Sequence, residues 1–127
     1  MFEISVRSQF SAAHRLVGHE GVCANVHGHN WEVEVFLAGE TLNEIGVLLD
    51  FREVKTAVRS VLDQLDHKDL NELPAFGQPT NPTSENLARH IFEALAAELD
   101  NSRCRVVRVR VSETPGTSAS YGPHGDR

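Results

Sequence analysis

The side chains best placed to do chemistry in this 127-residue chain are histidines. His27 and His29 are two residues apart. On an extended strand their imidazoles leave from one face, with Cα atoms about 6.5–7 Å apart. Two nitrogens each about 2.0 Å from a shared metal can bridge that separation. Gly28 between them lets a second backbone come close. His14 falls in phase with Phe10 and Ala12, and the His27/His29 pair falls in phase with Trp31 and Val33, so all three imidazoles aim to the core side. A polar group left unsatisfied there costs about 1–3 kcal/mol. A buried, hydrogen-bonded pair of histidines would meet that cost, and so would a metal. Adding His14 in phase and Cys23 close upstream favours metal, and three neutral imidazoles with no carboxylate among them suit Zn²⁺ with an open fourth position.

Four further features carry possible chemistry. Cys23 reads as an inert loop thiol, as a fourth ligand that closes a structural site, or as a thiolate acting near the cation. Asp66-His67 follows an apolar helical stripe. It reads as a helix C-terminus where an imidazolium meets the dipole, and two sequence neighbours on a helix need not bond each other. Glu113 continues the face of Val107, Val109 and Val111, either at a solvated sheet edge or lining a pocket where it accepts N–H donors. Arg103, Arg105, Arg108 and Arg110 form a local basic cluster, readable as a solvated strand edge or as an anion site. His19, His90 and His124 read as surface histidines.

The elements that must position these groups follow from periodicity. Phe2, Ile4, Val6, Phe10, Ala12 and His14 share even positions and predict one strand; Trp31, Val33, Val35 and Leu37 predict a second. The intervening Leu16 to Val26 is long enough for a functional loop. Val47 to Leu49 reads as a short extended piece. Phe51, Val54, Val58, Val61, Leu62 and Leu65 make a helical stripe that predicts a helix over roughly 51–65, with Asp50 and Glu53 as a capping pair. Leu73 to Pro82 reads as a structured loop. Thr83 caps a second helix in which Leu87, Ile91, Leu95 and Leu99 recur, ending by Asp100-Asn101. A strand through Val107 to Glu113 and a short one around Ala119 to Tyr121 complete the chain. That order predicts an α+β fold, an antiparallel four-stranded sheet with two helices on one face.

Length supports one domain over residues 1–121, followed by a flexible tail at 122–127. The formal charge of −6 argues against a general nucleic-acid surface. No apolar run approaches the ~20 residues of a membrane span, and the start lacks a secretory pattern, so a soluble cytoplasmic protein is expected. Two cysteines in such a chain more often stay reduced than pair.

The stretch C-A-N-V-H-G-H (Cys23 to His29), His14 upstream, L-D-H-K-D-L-N (Leu65 to Asn71), P-T-S-E-N (Pro82 to Asn86) and S-E-T-P (Ser112 to Pro115) together resemble the 6-pyruvoyltetrahydropterin synthase family. Its bacterial branch includes the 6-carboxytetrahydropterin synthases of queuosine biosynthesis. The resemblance implies a T-fold, or tunnelling fold, whose subunits join into an oligomeric barrel, commonly a homohexamer built as a dimer of trimers. It implies His14, His27 and His29 as zinc ligands, Cys23 as general base, and Asp66 with His67 as partners contributed by an adjoining subunit. Glu113 would anchor the pterin ring, with Thr83 and Ser84 near it. The implied substrate is 7,8-dihydroneopterin triphosphate, with Zn²⁺ and no redox cofactor. Its product would be 6-carboxy-5,6,7,8-tetrahydropterin with loss of acetaldehyde and triphosphate, or, in the pyruvoyl branch, a retained diketone. A non-enzymatic zinc- or pterin-binding module is the alternative of another class.

Overall fold

The computed structural model describes residues 1–19, 21 and 24–123. Strands β1 (Phe2–His14) and β2 (His27–Gly39) pair antiparallel along their whole length, from Phe2 opposite Gly39 to His14 opposite His27. With no slip in that register, even residues of β1 and odd residues of β2 share one face. Val6, Phe10, Ala12, Trp31, Val33, Val35 and Leu37 are buried there.

Helix α1 (Phe51–Asp63) starts where the Asp50 carboxylate accepts the Arg52 N–H, and it buries Val54, Ala57, Val58, Val61 and Leu62. It ends two residues before the predicted limit. The Gln64 and Leu65 N–H groups turn to the Val61 and Leu62 carbonyls and tighten the last turn, although Leu65 stays buried. Strand β3 (Lys68–Asp69) then runs parallel to β1 beside Ala12 and Ala13. The sheet therefore has five strands in the order β3-β1-β2-β4-β5, not four, and is not wholly antiparallel. A two-residue strand is too short to leave a period in the sequence.

Val47 to Leu49 joins no strand. The Arg103 guanidinium donates to the Val47 and Leu48 carbonyls instead, while Leu48 and Leu49 are buried. Between β3 and the second helix, short 3₁₀ turns at Leu70–Glu72 and Pro74–Phe76 bury Leu70 and Phe76. Helix α2 (Ser84–Leu99) begins at Thr83, whose hydroxyl accepts the Asn86 N–H, and it buries Leu87, Ile91, Leu95 and Leu99 as the four-residue spacing predicts.

Strand β4 (Arg105–Thr114) departs from the simple alternation. Leu37 pairs with Val106 and Phe36 with Arg108, so Val107 is an extra residue in a bulge and Val106 takes its place in the core. Beyond the bulge the phase holds: Val109 and Val111 are buried, and Glu113 follows on the same face. Strand β5 (Thr117–Tyr121) closes the far edge, and Tyr121 packs edge-on against Phe92 of α2.

One apolar cluster joins this sheet face to both helices. The opposite face is polar. Arg7, Glu34 and Arg110 stand in register across three strands, with both guanidinium groups on the Glu34 carboxylate. Burial pushes the Glu34 carboxyl up, but Arg110 and Arg7 outweigh it and hold it below the ordinary range. Arg108 lies 4.0 Å over the Phe36 ring. Arg103, Arg108 and Arg110 thus each have a partner within the fold. Among the described residues no helix is long and apolar enough to cross a membrane.

Candidate metal centre

His14 is the last residue of β1 and His27 the first of β2, and they face each other across the ladder; His29 lies opposite Ala12. Pairing alone thus gathers three imidazoles at one end of the helix-covered face. Their ring centroids are 4.6, 5.4 and 4.9 Å apart for His14–His27, His14–His29 and His27–His29. Beneath them the fully buried Trp31 stacks on Phe10, donates from its indole N–H to the Ala12 carbonyl, and meets His14 and His29 edge-on.

The outer ring nitrogens are held by backbone. His14 Nδ1 lies 2.7 Å from the Pro82 carbonyl, and His27 Nδ1 lies 2.7 Å from that of Asn25. A carbonyl only accepts, so each Nδ1 carries the proton, and in a neutral ring Nε2 then presents a lone pair. The three Nε2 atoms turn toward a common centre. Glu113 reaches the same point: its Oε2 is 3.0 Å from His14 Nε2, 2.8 Å from His29 Nε2 and 4.0 Å from His27 Nε2. All four ligand atoms lie within 4.8 Å of one another. The expected three imidazoles come together, and the Glu113 carboxylate stands beside them as a fourth possible donor. The phase of Glu113 was legible, but the placing of β4 beside β2 was not.

Without a cation this arrangement is poorly satisfied. His14 faces oxygen acceptors with both nitrogens, although a neutral imidazole has one N–H. His29 Nε2 is buried with no hydrogen-bond partner, despite its closeness to Glu113. Burial lowers the His29 pKa from its ordinary value; Glu113 works against this, and His14 and His27 add to it. The ring therefore favours the neutral, ligating form. Three imidazole nitrogens and a carboxylate oxygen are a donor set that fits a divalent metal such as Zn²⁺.

Asp66 and His67 do not join that cluster. Asp66 accepts the Ser11 N–H at 2.9 Å, the main reason its carboxyl lies below the ordinary range, and its other oxygen is 3.1 Å from His67 Nδ1. The two residues pair because the helix has already ended: His67 adopts φ +59°, and its N–H donates to the Ser11 carbonyl. The His67 side chain is 83% exposed. It opens on a cleft of about 570 Å³ that His29 also lines, with Ser11, Gly28, Asn30 and Lys68.

Thr83 and Ser84 follow Pro82 and so sit beside the His14 contact. The Thr83 hydroxyl is engaged as the α2 cap, and Ser84 is half-buried. Cys23 and His124 lie outside the described residues, while Cys104 is fully buried, which pushes its thiol up. His19 is exposed, as expected. His90 is not a surface histidine: it is half-buried, its ring 5.3 Å from that of Phe76, and burial lowers its pKa. The sequence reading missed the Pro82 and Asn25 carbonyls. Backbone oxygens leave no residue-type signal to find.

Residues 3–124 match the family model described as 6-pyruvoyl tetrahydropterin synthase. The chain belongs to that family. A protein of Archaeoglobus fulgidus, provisionally assigned as a 6-carboxy-5,6,7,8-tetrahydropterin synthase, is 43% identical over 87% of this chain and 86% of its own. The 6-carboxy-5,6,7,8-tetrahydropterin synthase of Haemophilus influenzae is 31% identical over 95% of this chain and 99% of its own. The structure of the Caenorhabditis elegans 6-pyruvoyl tetrahydropterin synthase superposes with a TM-score of 0.84 at 33% identity, covering 95% of this chain and 94% of that one. The fold is accordingly the T-fold, and the chain belongs to a family of pterin synthases.

Proposed function

We propose that this protein is a zinc-dependent lyase that converts 7,8-dihydroneopterin triphosphate to 6-carboxy-5,6,7,8-tetrahydropterin, releasing acetaldehyde and triphosphate. The observation that carries the metal part is the convergence of three imidazole nitrogens and the Glu113 carboxylate within 4.8 Å of one another. The choice of product rests on the carboxy-type names of the bacterial and archaeal relatives. In atom balance, C1′ of the side chain becomes the carboxylate, with its second oxygen from water, and C2′–C3′ leaves as acetaldehyde.

His14, His27 and His29 would hold the metal, which supplies Lewis acidity toward the side-chain hydroxyls of the pterin. Cys23 acts as general base on a side-chain carbon. His67, oriented by Asp66, moves the second proton and comes from an adjoining subunit of a homohexamer. Thr83 and Ser84 lie near the ring. Glu113 anchors the pterin ring only by swinging off the imidazoles. Its carboxylate lies 3.0 Å from His14 Nε2 and 2.8 Å from His29 Nε2, close enough to be a further oxygen donor to a bound metal.

Product analysis tests the reading. Incubation with dihydroneopterin triphosphate is expected to release acetaldehyde in step with 6-carboxytetrahydropterin. The structural likeness to a 6-pyruvoyl synthase favours a second outcome, a retained diketone without acetaldehyde. That result would replace the carboxy assignment, and no turnover at all would remove the enzymatic one.

A further inference from the structure

The turn that leaves His14 is held by two side-chain amides, each imitating a strand partner. Asn71 Oδ1 accepts the Arg15 N–H at 2.8 Å, and its Nδ2 donates to the Arg15 carbonyl at 3.0 Å. Two residues on, Asn81 Oδ1 accepts the Val17 N–H at 3.0 Å and its Nδ2 donates to the Val17 carbonyl at 2.9 Å. Both residues lie on the segment between β3 and α2, so these clips continue the edge pairing of β1 after the two-residue β3 has ended.

The two amides differ in what they are attached to. Asn81 immediately precedes Pro82, whose carbonyl receives the His14 Nδ1–H at 2.7 Å. The Asn81 peptide is fixed from its other side as well: its own carbonyl accepts the Asn86 amide at 2.8 Å and the Thr83 N–H at 2.9 Å. Its Oδ1 also receives the Gln78 amide. His14 is 1% exposed and has no other partner for Nδ1 among the described residues. The angle of its ring, and which nitrogen is left as the lone pair, therefore depend on where that one carbonyl stands.

We propose that Asn81 is a positioning residue for the metal centre: by clipping the chain at Val17 to the segment before α2, it sets the Pro82 carbonyl that fixes the tautomer and orientation of His14. Asn71 makes the same clip without that connection and serves only to hold the turn. The groups that orient metal-bound imidazoles commonly change affinity about 10- to 100-fold when removed. This rests on the reading of His14, His27 and His29 as metal ligands.

The test is Zn²⁺ affinity, measured on metal-stripped full-length protein by competition with a chromophoric chelator, with the Co²⁺ visible spectrum as a report on ligand geometry. Asn81→Ala is expected to weaken Zn²⁺ about 10- to 100-fold and to alter the Co²⁺ bands, whereas Asn71→Ala leaves affinity within about threefold of wild type. If Asn81→Ala does not fold by circular dichroism, Asn81→Asp, which keeps the acceptor and loses the donor, and Asn86→Ala, which removes one of the two donors to the Asn81 carbonyl, carry the comparison, each with a loss of about tenfold. Equal affinities in wild type and the folded Asn81 or Asn86 variants overturn the proposal while leaving the metal reading intact. Equal losses in Asn71→Ala and Asn81→Ala overturn it too, since a generally loosened turn would then suffice. Wild-type protein that takes up no stoichiometric Zn²⁺ refutes the metal reading, and the positioning role with it.

Discussion

At the scale of single residues, the difference between holding a metal and using it is open to direct separation. His27 contributes Nε2 to the cluster and has its Nδ1 fixed by the Asn25 carbonyl, so His27→Ala removes a ligand and is expected to lose both bound zinc and turnover. If Cys23 acts as the proposed general base rather than as a ligand, Cys23→Ala is expected to keep roughly stoichiometric zinc and lose turnover. Elemental analysis beside a product assay reads both. Loss of zinc in Cys23→Ala would make the thiol a ligand of a closed site, and unchanged turnover would remove it from the mechanism. Strand phase in the sequence was enough to group His14, His27 and His29. It could not bring in Glu113, which needs the order of strands across the sheet, nor the Pro82 carbonyl, which needs the path of the chain before α2.

Elements carry their own predictions. Gly39 ends β2 where the Arg103 backbone crosses it; a Cβ there would collide with the Arg103 carbonyl oxygen and stand 2.8 Å from Leu48 Cδ1. Gly39→Ala is expected to cost about 1–3 kcal/mol in urea unfolding, with the metal site at the other end of β2 unaffected. On α2, burial against Phe76 lowers the His90 pKa, with Glu93 partly opposing. The unfolded chain then binds that proton more readily than the folded one. The His90 contribution is complete above the unfolded pKa of about 6.5 and is lost as pH falls toward the lower folded value. A His90→Gln variant should therefore lose less thermal stability than wild type between about pH 7 and pH 5. An identical loss in both would place the titration elsewhere. The helices were legible from their stripes because amphipathic spacing is a local property. The bulge at Val107 was not, since it exists only relative to Leu37 and Phe36 on the neighbouring strand.

For the whole molecule, the proposed contribution of His67 from an adjoining subunit has a direct test, since His67 stands outside the imidazole cluster of its own chain and faces a cleft that His29 also lines. His67 is exposed just before the edge strand β3, while Asp66 is half-buried beside it, an arrangement compatible with a site completed by a neighbour. If each site takes its imidazole cluster from one subunit and His67 from the next, His27→Ala and His67→Ala oligomers should each be inactive. Unfolded and refolded together in equal amounts, they should regain roughly a quarter of wild-type activity. No recovery, with mixed oligomers confirmed by mass, would put both groups in one subunit.

The sequence by itself determined the identity of the two long strands, the two helices with Asp50 and Thr83 as their N-caps, and the inward phase of every histidine in the cluster. These are set by side-chain period and by neighbours a few residues away. Tertiary structure alone decided that Glu113 closes on the imidazoles, that His90 is half-buried, that Asp66 bonds Ser11 and His67, and that Asn81 stands behind His14. Each of those depends on pairing between segments distant in the chain, where the energy lies in register and crossing rather than in local pattern.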